Sequence, residues 1–177
     1  MKYNPEKHHR KSIRLKNYDY SKPGIYFVTI CTKNREFLFG EIVNGVIVLN
    51  EAGKIAQQCW LEIPEHFPCV SLDKFVIMPN HIHGIIIINH VAGDQNIEPL
   101  QQFNQFQKII PNSIGSIVRG FKIGVTKWFR QNNILNVVWQ RNYYEHIIRN
   151  EKQLNKIREY IINNPLKWEL DNNHTVK

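Results

Sequence analysis

Two apolar runs meeting at Pro79-Asn80 constrain this chain more than any other stretch: Phe75-Val-Ile-Met78 before the junction and His81-Ile-His-Gly-Ile-Ile-Ile-Ile88 after it. Runs rich in β-branched residues and joined by a turn-forming dipeptide predict two adjacent strands. Side chains alternate across a strand, so His81 and His83 share a face with Ile85 and Ile87, while Ile82, Ile86 and Ile88 share the other. With both faces apolar, the second strand belongs in the middle of a sheet, covered on both sides. An element must therefore pack over the histidines, and the helix around Tyr160 is the candidate. Two imidazoles so placed can hold one metal ion, although a histidine on a half-buried strand is more often a hydrogen-bonded structural residue.

The remaining segments fall into order around this pair. Residues 1–23 carry Lys2, Lys7, Arg10, Lys11, Arg14, Lys16 and Lys22 against Glu6 and Asp19. They form either a solvated tail or a basic arm that tracks phosphates, and the charge of the whole chain favours the arm. After Pro23-Gly24, Ile25–Cys31 predicts a first strand, and Asn44-Gly45 between apolar runs in Glu41–Leu49 predicts a hairpin. Ile55, Cys59, Trp60 and Ile63 give Ala52–Glu65 a helical spacing, with Pro68 at its exit. Residues 91–110 are polar and long for a connection, which predicts a mobile loop.

A helix opened by Asn112-Ser113 and running to about Asn132 puts Ile114, Ile117, Val118, Phe121, Val125 and Trp128 on one side. Arg119, Lys122, Thr126 and Arg130 lie opposite, as a solvated face or as a surface for a nucleic-acid backbone. Val137–Ile148 predicts the last strand, with Tyr144, His146 and Ile148 facing one way and Tyr143, Glu145 and Ile147 the other; Arg141 and Arg149 interleave with its aromatics. Asn150 caps a final helix that Pro165 stops, with Leu154, Ile157 and Ile161 as its buried stripe. Tyr160 and Asn164, four residues apart, project from one face of it. The order strand, helix, strand, strand, helix, strand, helix predicts an α+β chain of the ferredoxin-like split βαβ type, with a central antiparallel sheet and an inserted β-hairpin. One domain is expected over residues 24–170, followed by a tail at 171–177.

A formal net charge of +8, from 23 Lys and Arg against 15 Asp and Glu, favours a polyanionic partner, with nucleic acid ahead of an anionic membrane surface. Cys31, Cys59 and Cys69 lack Cys-x-x-Cys spacing, which argues against a disulfide framework or a thiolate zinc site. No run has the length of a membrane span and the first residues have no apolar signal core, so a soluble, intracellular protein is expected.

His81-Ile82-His83, preceded by Met78-Pro79-Asn80, resembles the histidine–hydrophobic–histidine motif of HUH nucleases in their single-tyrosine transposase branch. Trp139–Asn150 and Tyr160-Ile-Ile-Asn-Asn164-Pro165 resemble two further blocks of the REP-associated tyrosine transposases, and the resemblance spans roughly residues 14–168. Asparagine at 164, where the mobile insertion-sequence branch usually has glutamine, also points to the REP-associated branch. The resemblance implies that Tyr160, on the C-terminal helix, is the nucleophile and that His81, His83 and Asn164 ligate Mg²⁺ or Mn²⁺. The implied reaction is metal-dependent cleavage and strand transfer of single-stranded DNA through a 5′-phosphotyrosine intermediate. The implied substrate carries hairpins, as repetitive palindromic elements do, and is met in the bacterial cytoplasm on nucleoid DNA, by a monomer or homodimer.

These residue types suit that chemistry. A tyrosine titrates near pH 10 and needs a cation or a base beside it to attack at neutral pH, and His146 and Glu145 are candidates to assist. Arg10, Lys11, Arg14, Lys16, Arg119, Lys122, Arg130, Arg141 and Arg149 are the candidate DNA contacts. Two other readings compete: a domesticated hairpin-binding protein without cleavage, and a metal-dependent phosphoesterase that activates water. A cupin-like oxygenase is remote, because the helices do not suit a jelly roll.

Overall fold

A computed structural model of the chain describes residues 18–89, 110–134 and 137–170. Arg10, Lys11, Arg14 and Lys16, the loop expected at 91–110 except for Ile110, and the tail at 171–177 lie outside the described residues. Strand β1 (Gly24–Cys31) is followed by a hairpin of β2 (Gly40–Val43) and β3 (Val46–Leu49), helices α1 (Glu51–Leu61) and α2 (Ile63–His66), and strands β4 (Val70–Met78) and β5 (His81–Ile88). Helix α3 (Ile114–Gln131), strand β6 (Tyr144–Ile148) and helix α4 (Glu151–Asn163) complete the chain, with a 3-10 segment at Pro165–Leu170.

The main sheet has the order β4-β5-β1-β6 with every neighbour antiparallel, the ferredoxin-like arrangement expected from the sequence. The hairpin forms a separate two-stranded sheet, turned by Asn44 and Gly45 at φ of 52° and 75°, a backbone shape that suits asparagine and glycine. Strand β5 is central, and the alternation read from its sequence sorts the core into two layers. Ile82, Ile86 and Ile88 join Tyr26, Val28, Ile30, Trp60, Ile117 and Phe121 beneath α1 and α3. Ile85 joins Phe27, Ile148 and Ile161 on the opposite face, with Leu154 and Ile157 of α4 packed against them. Each long helix begins with a side-chain cap, from Asn50, Ser113 and Asn150.

Several boundaries differ from the sequence expectation. The helix expected over 52–65 breaks at Glu62, because Pro64 in the first turn of α2 supplies no N–H to a continuing helix. The first central strand starts at Val70 rather than Phe75, with a bulge between Leu72 and Phe75. The last strand, expected from Val137, starts only at Tyr144. The Lys122 ammonium takes the carbonyls of Gln140 and Asn142, at 3.0 and 2.7 Å, and Asn142 turns with φ of 71°. Only an isolated bridge from Trp139 to Thr32 precedes the ladder. Tyr20, assigned to the arm, is buried in the core, and its carbonyl accepts from the Ile114 amide. Packed structure therefore begins before residue 24.

Gly84 sits where β5 meets the Trp60 ring, and a Cβ there would overlap the indole. Gly84→Ala is expected to destabilise the fold by about 1–3 kcal/mol through overpacking, lowering the melting temperature by roughly 2–10 °C in a calorimetric scan. An unchanged melting temperature would show that Trp60 can retreat without cost.

Candidate functional site

The register of β1 against β5 sets Thr29 beside His83 and Cys31 beside His81. Both imidazoles point under α4, and at 0% and 2% exposure they are sealed from solvent. His81 Nδ1 lies 2.8 Å from Asn80 Oδ1, while Asn80 Nδ2 donates to the Arg35 carbonyl at 3.1 Å. The second bond fixes which way the Asn80 amide points, so His81 Nδ1 carries the proton and its Nε2 lone pair is bare. His83 Nδ1 meets the Thr29 hydroxyl at 2.8 Å, and the two Nε2 atoms face one another at 3.0 Å. When Thr29 accepts, His83 Nε2 is bare as well and the pair presents two lone pairs to a cation. When Thr29 donates, His83 Nε2–H can donate to His81 and the pair is satisfied by itself.

Burial, with the Arg35 charge close by, pushes the His81 pKa down to about 3, the Asn164 amide working the other way. His81 is therefore neutral at neutral pH, the form in which a histidine binds metal. Helix α4 brings the Tyr160 hydroxyl to 3.1 Å from His83 Nε2, while the Tyr160 ring remains 44% exposed. Asn164, one turn further, is buried at the same place, and Trp168 stacks over His81 with ring centres 5.9 Å apart. Phe27 stacks against His83 from the β1 side. The Arg158 guanidinium holds α4 to β4 through Asp73, with Nε donating at 2.9 Å. The donor set gathered here is two imidazoles, an amide and a phenol. Among the described residues, no group of three or more His, Cys, Asp or Glu could hold a metal ion.

The other singled-out residues fall elsewhere. His146 is on the histidine side of the sheet but pairs with Phe27 and is exposed. Glu145 pairs with Val28 and is buried on the opposite face, so the sheet separates it from Tyr160 and its assignment as an assisting base is corrected. Arg119, Lys122 and Arg130 line a groove of about 700 Å³ along α3, also on the face away from the histidines. Lys122 is less available there than its helical position implied: its ammonium is tied to two carbonyls and sits over the Trp139 ring, and burial pushes its pKa down to about 8. Arg141 and Arg149 are exposed just before and just after β6. Thr29, Asn80, Asp73 and Trp168 were missed. Asn80 had a signal, its place next to His81, but nothing marks Thr29 until the register of β1 is known.

No protein-family model matches the chain. A Haemophilus influenzae protein of uncharacterised function is 57% identical over 173 residues, covering 96% of each chain. A candidate REP-associated tyrosine transposase of the same organism is 29% identical over 155 residues, covering 86% of this chain and 77% of that one. Among solved structures, a REP-associated tyrosine transposase bound to a REP hairpin superposes with a TM-score of 0.59 at 21% identity, covering 88% of this chain and 74% of that one. In sequence the chain is thus similar to a candidate REP-associated tyrosine transposase, and in fold to a solved one.

Proposed function

We propose that this protein is a hairpin-DNA-binding transposase of the single-tyrosine type, cleaving single-stranded DNA with Tyr160 and holding Mg²⁺ or Mn²⁺ through His81, His83 and Asn164. The observation that carries the reading is the convergence of His81 Nε2, His83 Nε2 and the Tyr160 hydroxyl within 3.1 Å contacts. The two facing imidazoles, with the Asn164 amide buried beside them, would hold such an ion and leave its other positions to water and a phosphate oxygen. The hairpin substrate is carried over from the relative whose structure holds a REP hairpin.

The protein's own groups divide the work. Asn80 keeps the His81 lone pair directed inward, and Thr29 serves His83 in either proton arrangement. Tyr160 projects from a helix fixed by the Arg158–Asp73 pair, so its oxygen is positioned before substrate arrives. A bound divalent ion would polarise the scissile phosphate and favour the phenolate beside it. The Tyr160 oxygen bonds to phosphorus, the phosphorus–O3′ bond breaks, the phenolic proton passes to water, and the departing 3′ oxygen takes up a proton. The covalent 5′-phosphotyrosine retains the phosphodiester energy, so a second 3′-hydroxyl can reverse the attack and join strands.

The burial of both histidines favours a second reading, a hairpin-binding protein that does not cleave, since a phosphate reaches the imidazoles only if Tyr160 and Trp168 give way. The experiment that separates the two is incubation with end-labelled hairpin oligonucleotides and Mn²⁺ on denaturing gels. Cleavage predicts a label at protein mass that is lost in Tyr160→Phe and in His81→Ala. Tight binding with no adduct on any hairpin would leave the binder.

Asn80→Ala is expected to weaken Mn²⁺ binding about 10–100-fold by calorimetric titration, because the His81 tautomer is no longer imposed. Unchanged affinity would remove Asn80 from the site. The neutral state of His81 also sets a pH dependence. The unfolded chain takes up a proton on this histidine near pH 6.5 and the folded chain only near 3, so stability is present above 6.5 and is lost as pH falls between them. His81→Gln should flatten the acid side of a denaturation series by up to about 1.4 kcal/mol per pH unit. An equal slope in both proteins would show that His81 is protonated in the fold.

A further inference from the structure

Helix α3 and the histidine pair lie on opposite faces of the sheet, and β6 is the edge strand that separates them. The α3 groove is lined by Arg119, Lys122, Lys127 and Arg130 with no carboxylate among its lining residues, and it ends at Asn142 and Tyr143. One residue later the chain enters β6, and Tyr144 points to the other face. There its ring lies edge-on to Phe27, at 6.4 Å, and the Tyr160 ring lies edge-on to the same Phe27, at 6.1 Å. Phe27 is buried beneath them, whereas Tyr144 and Tyr160 are 49% and 44% exposed. Two consecutive tyrosines thus mark the two sides of one sheet edge, the first beside the basic groove and the second beside the nucleophile. Arg141, two residues before Tyr143, is exposed.

We propose that a nucleic-acid strand rounds the β6 edge, its phosphates held in the α3 groove and an unpaired base stacked on Tyr144 next to Tyr160. The inference deepens the hairpin-DNA reading and rests on it. An exposed aromatic ring backed by a packed core is a sequence-tolerant platform for a base, and a groove of cations without carboxylates follows a phosphate backbone. Because only one strand separates the two sites, a few nucleotides suffice to connect them. The groove would take the paired part of a hairpin and Tyr144 the single strand leaving it.

The test measures binding by fluorescence anisotropy in EDTA, so that no cleavage intervenes, using a blunt DNA hairpin and the same hairpin with a short oligothymidylate tail. Tyr144→Ala is expected to weaken the tailed hairpin about tenfold and leave the blunt one within about twofold, while Tyr144→Phe keeps the preference for the tail. Arg119→Ala with Arg130→Ala is expected to weaken both probes and to reduce the salt dependence by about two charges. A 2-aminopurine placed in the tail should be quenched by the wild type and by Tyr144→Phe, but not by Tyr144→Ala. The proposal is overturned if Tyr144→Ala keeps the tail preference, if it weakens both probes equally, or if the arginine pair leaves blunt-hairpin binding unchanged. These readouts do not depend on chemistry. Absence of a tyrosine adduct would remove the cleavage reading alone, and an adduct formed by Tyr144→Ala at wild-type tail affinity would remove the base platform alone.

Discussion

The antiparallel pairing of β1 with β5 is the constraint on which the rest depends. It buries β5 on both faces, which forces helices onto both sides of the sheet, and it sets Thr29 against His83 in the same stroke. A slip of one residue would turn the histidines toward Trp60 and the isoleucines toward α4. The apolar content of β5 makes such a slip tolerable for hydrophobicity, so the discriminating falls to the close fit of Gly84 under Trp60 and to the polar contacts of Thr29 and Asn80. The latter are buried hydrogen bonds that a shifted register would leave unmade, at a cost of about 1–3 kcal/mol for each orphaned group. Fold and site are thus held by one set of interactions.

Much of this was legible in the sequence because strand alternation is a strict rule. The two faces of β5, the hairpin at Asn44-Gly45, the capped helices and the proximity of Tyr160 to the histidines all follow from local pattern and element order. What was not legible depends on partners distant in sequence. The true start of β6 is set by a lysine on α3, eighteen residues before Gln140, that claims its carbonyls. Glu145 reads as a neighbour of His146, yet adjacency in a strand means opposite faces, and only knowing which face the histidines occupy excludes it. Asp73 and Arg158, 85 positions apart, leave no local trace at all.

The closed arrangement of the site has a physical reason. Two bare imidazole nitrogens facing each other in a dry interior would be poorly solvated, and the Thr29 hydroxyl can relieve this by rotating, so that one ring donates to the other. The Tyr160 hydroxyl adds a further partner. The same groups that would receive a cation therefore keep one another satisfied without it.

Lys122 acquires a different meaning once β6 is seen as an edge. By gripping the carbonyls of Gln140 and Asn142 it works as a fret on a string, fixing the point from which the strand's alternation is counted. Moved by one residue, β6 would present Tyr143 and a carboxylate to the histidine side and withdraw Tyr144 from it. A negative charge would then stand where the proposed cleavage needs a phosphodiester to approach. A lysine whose position on α3 reads as a contact for DNA thus helps to decide, from the far side of the sheet, whether a phenol or a carboxylate stands beside Tyr160.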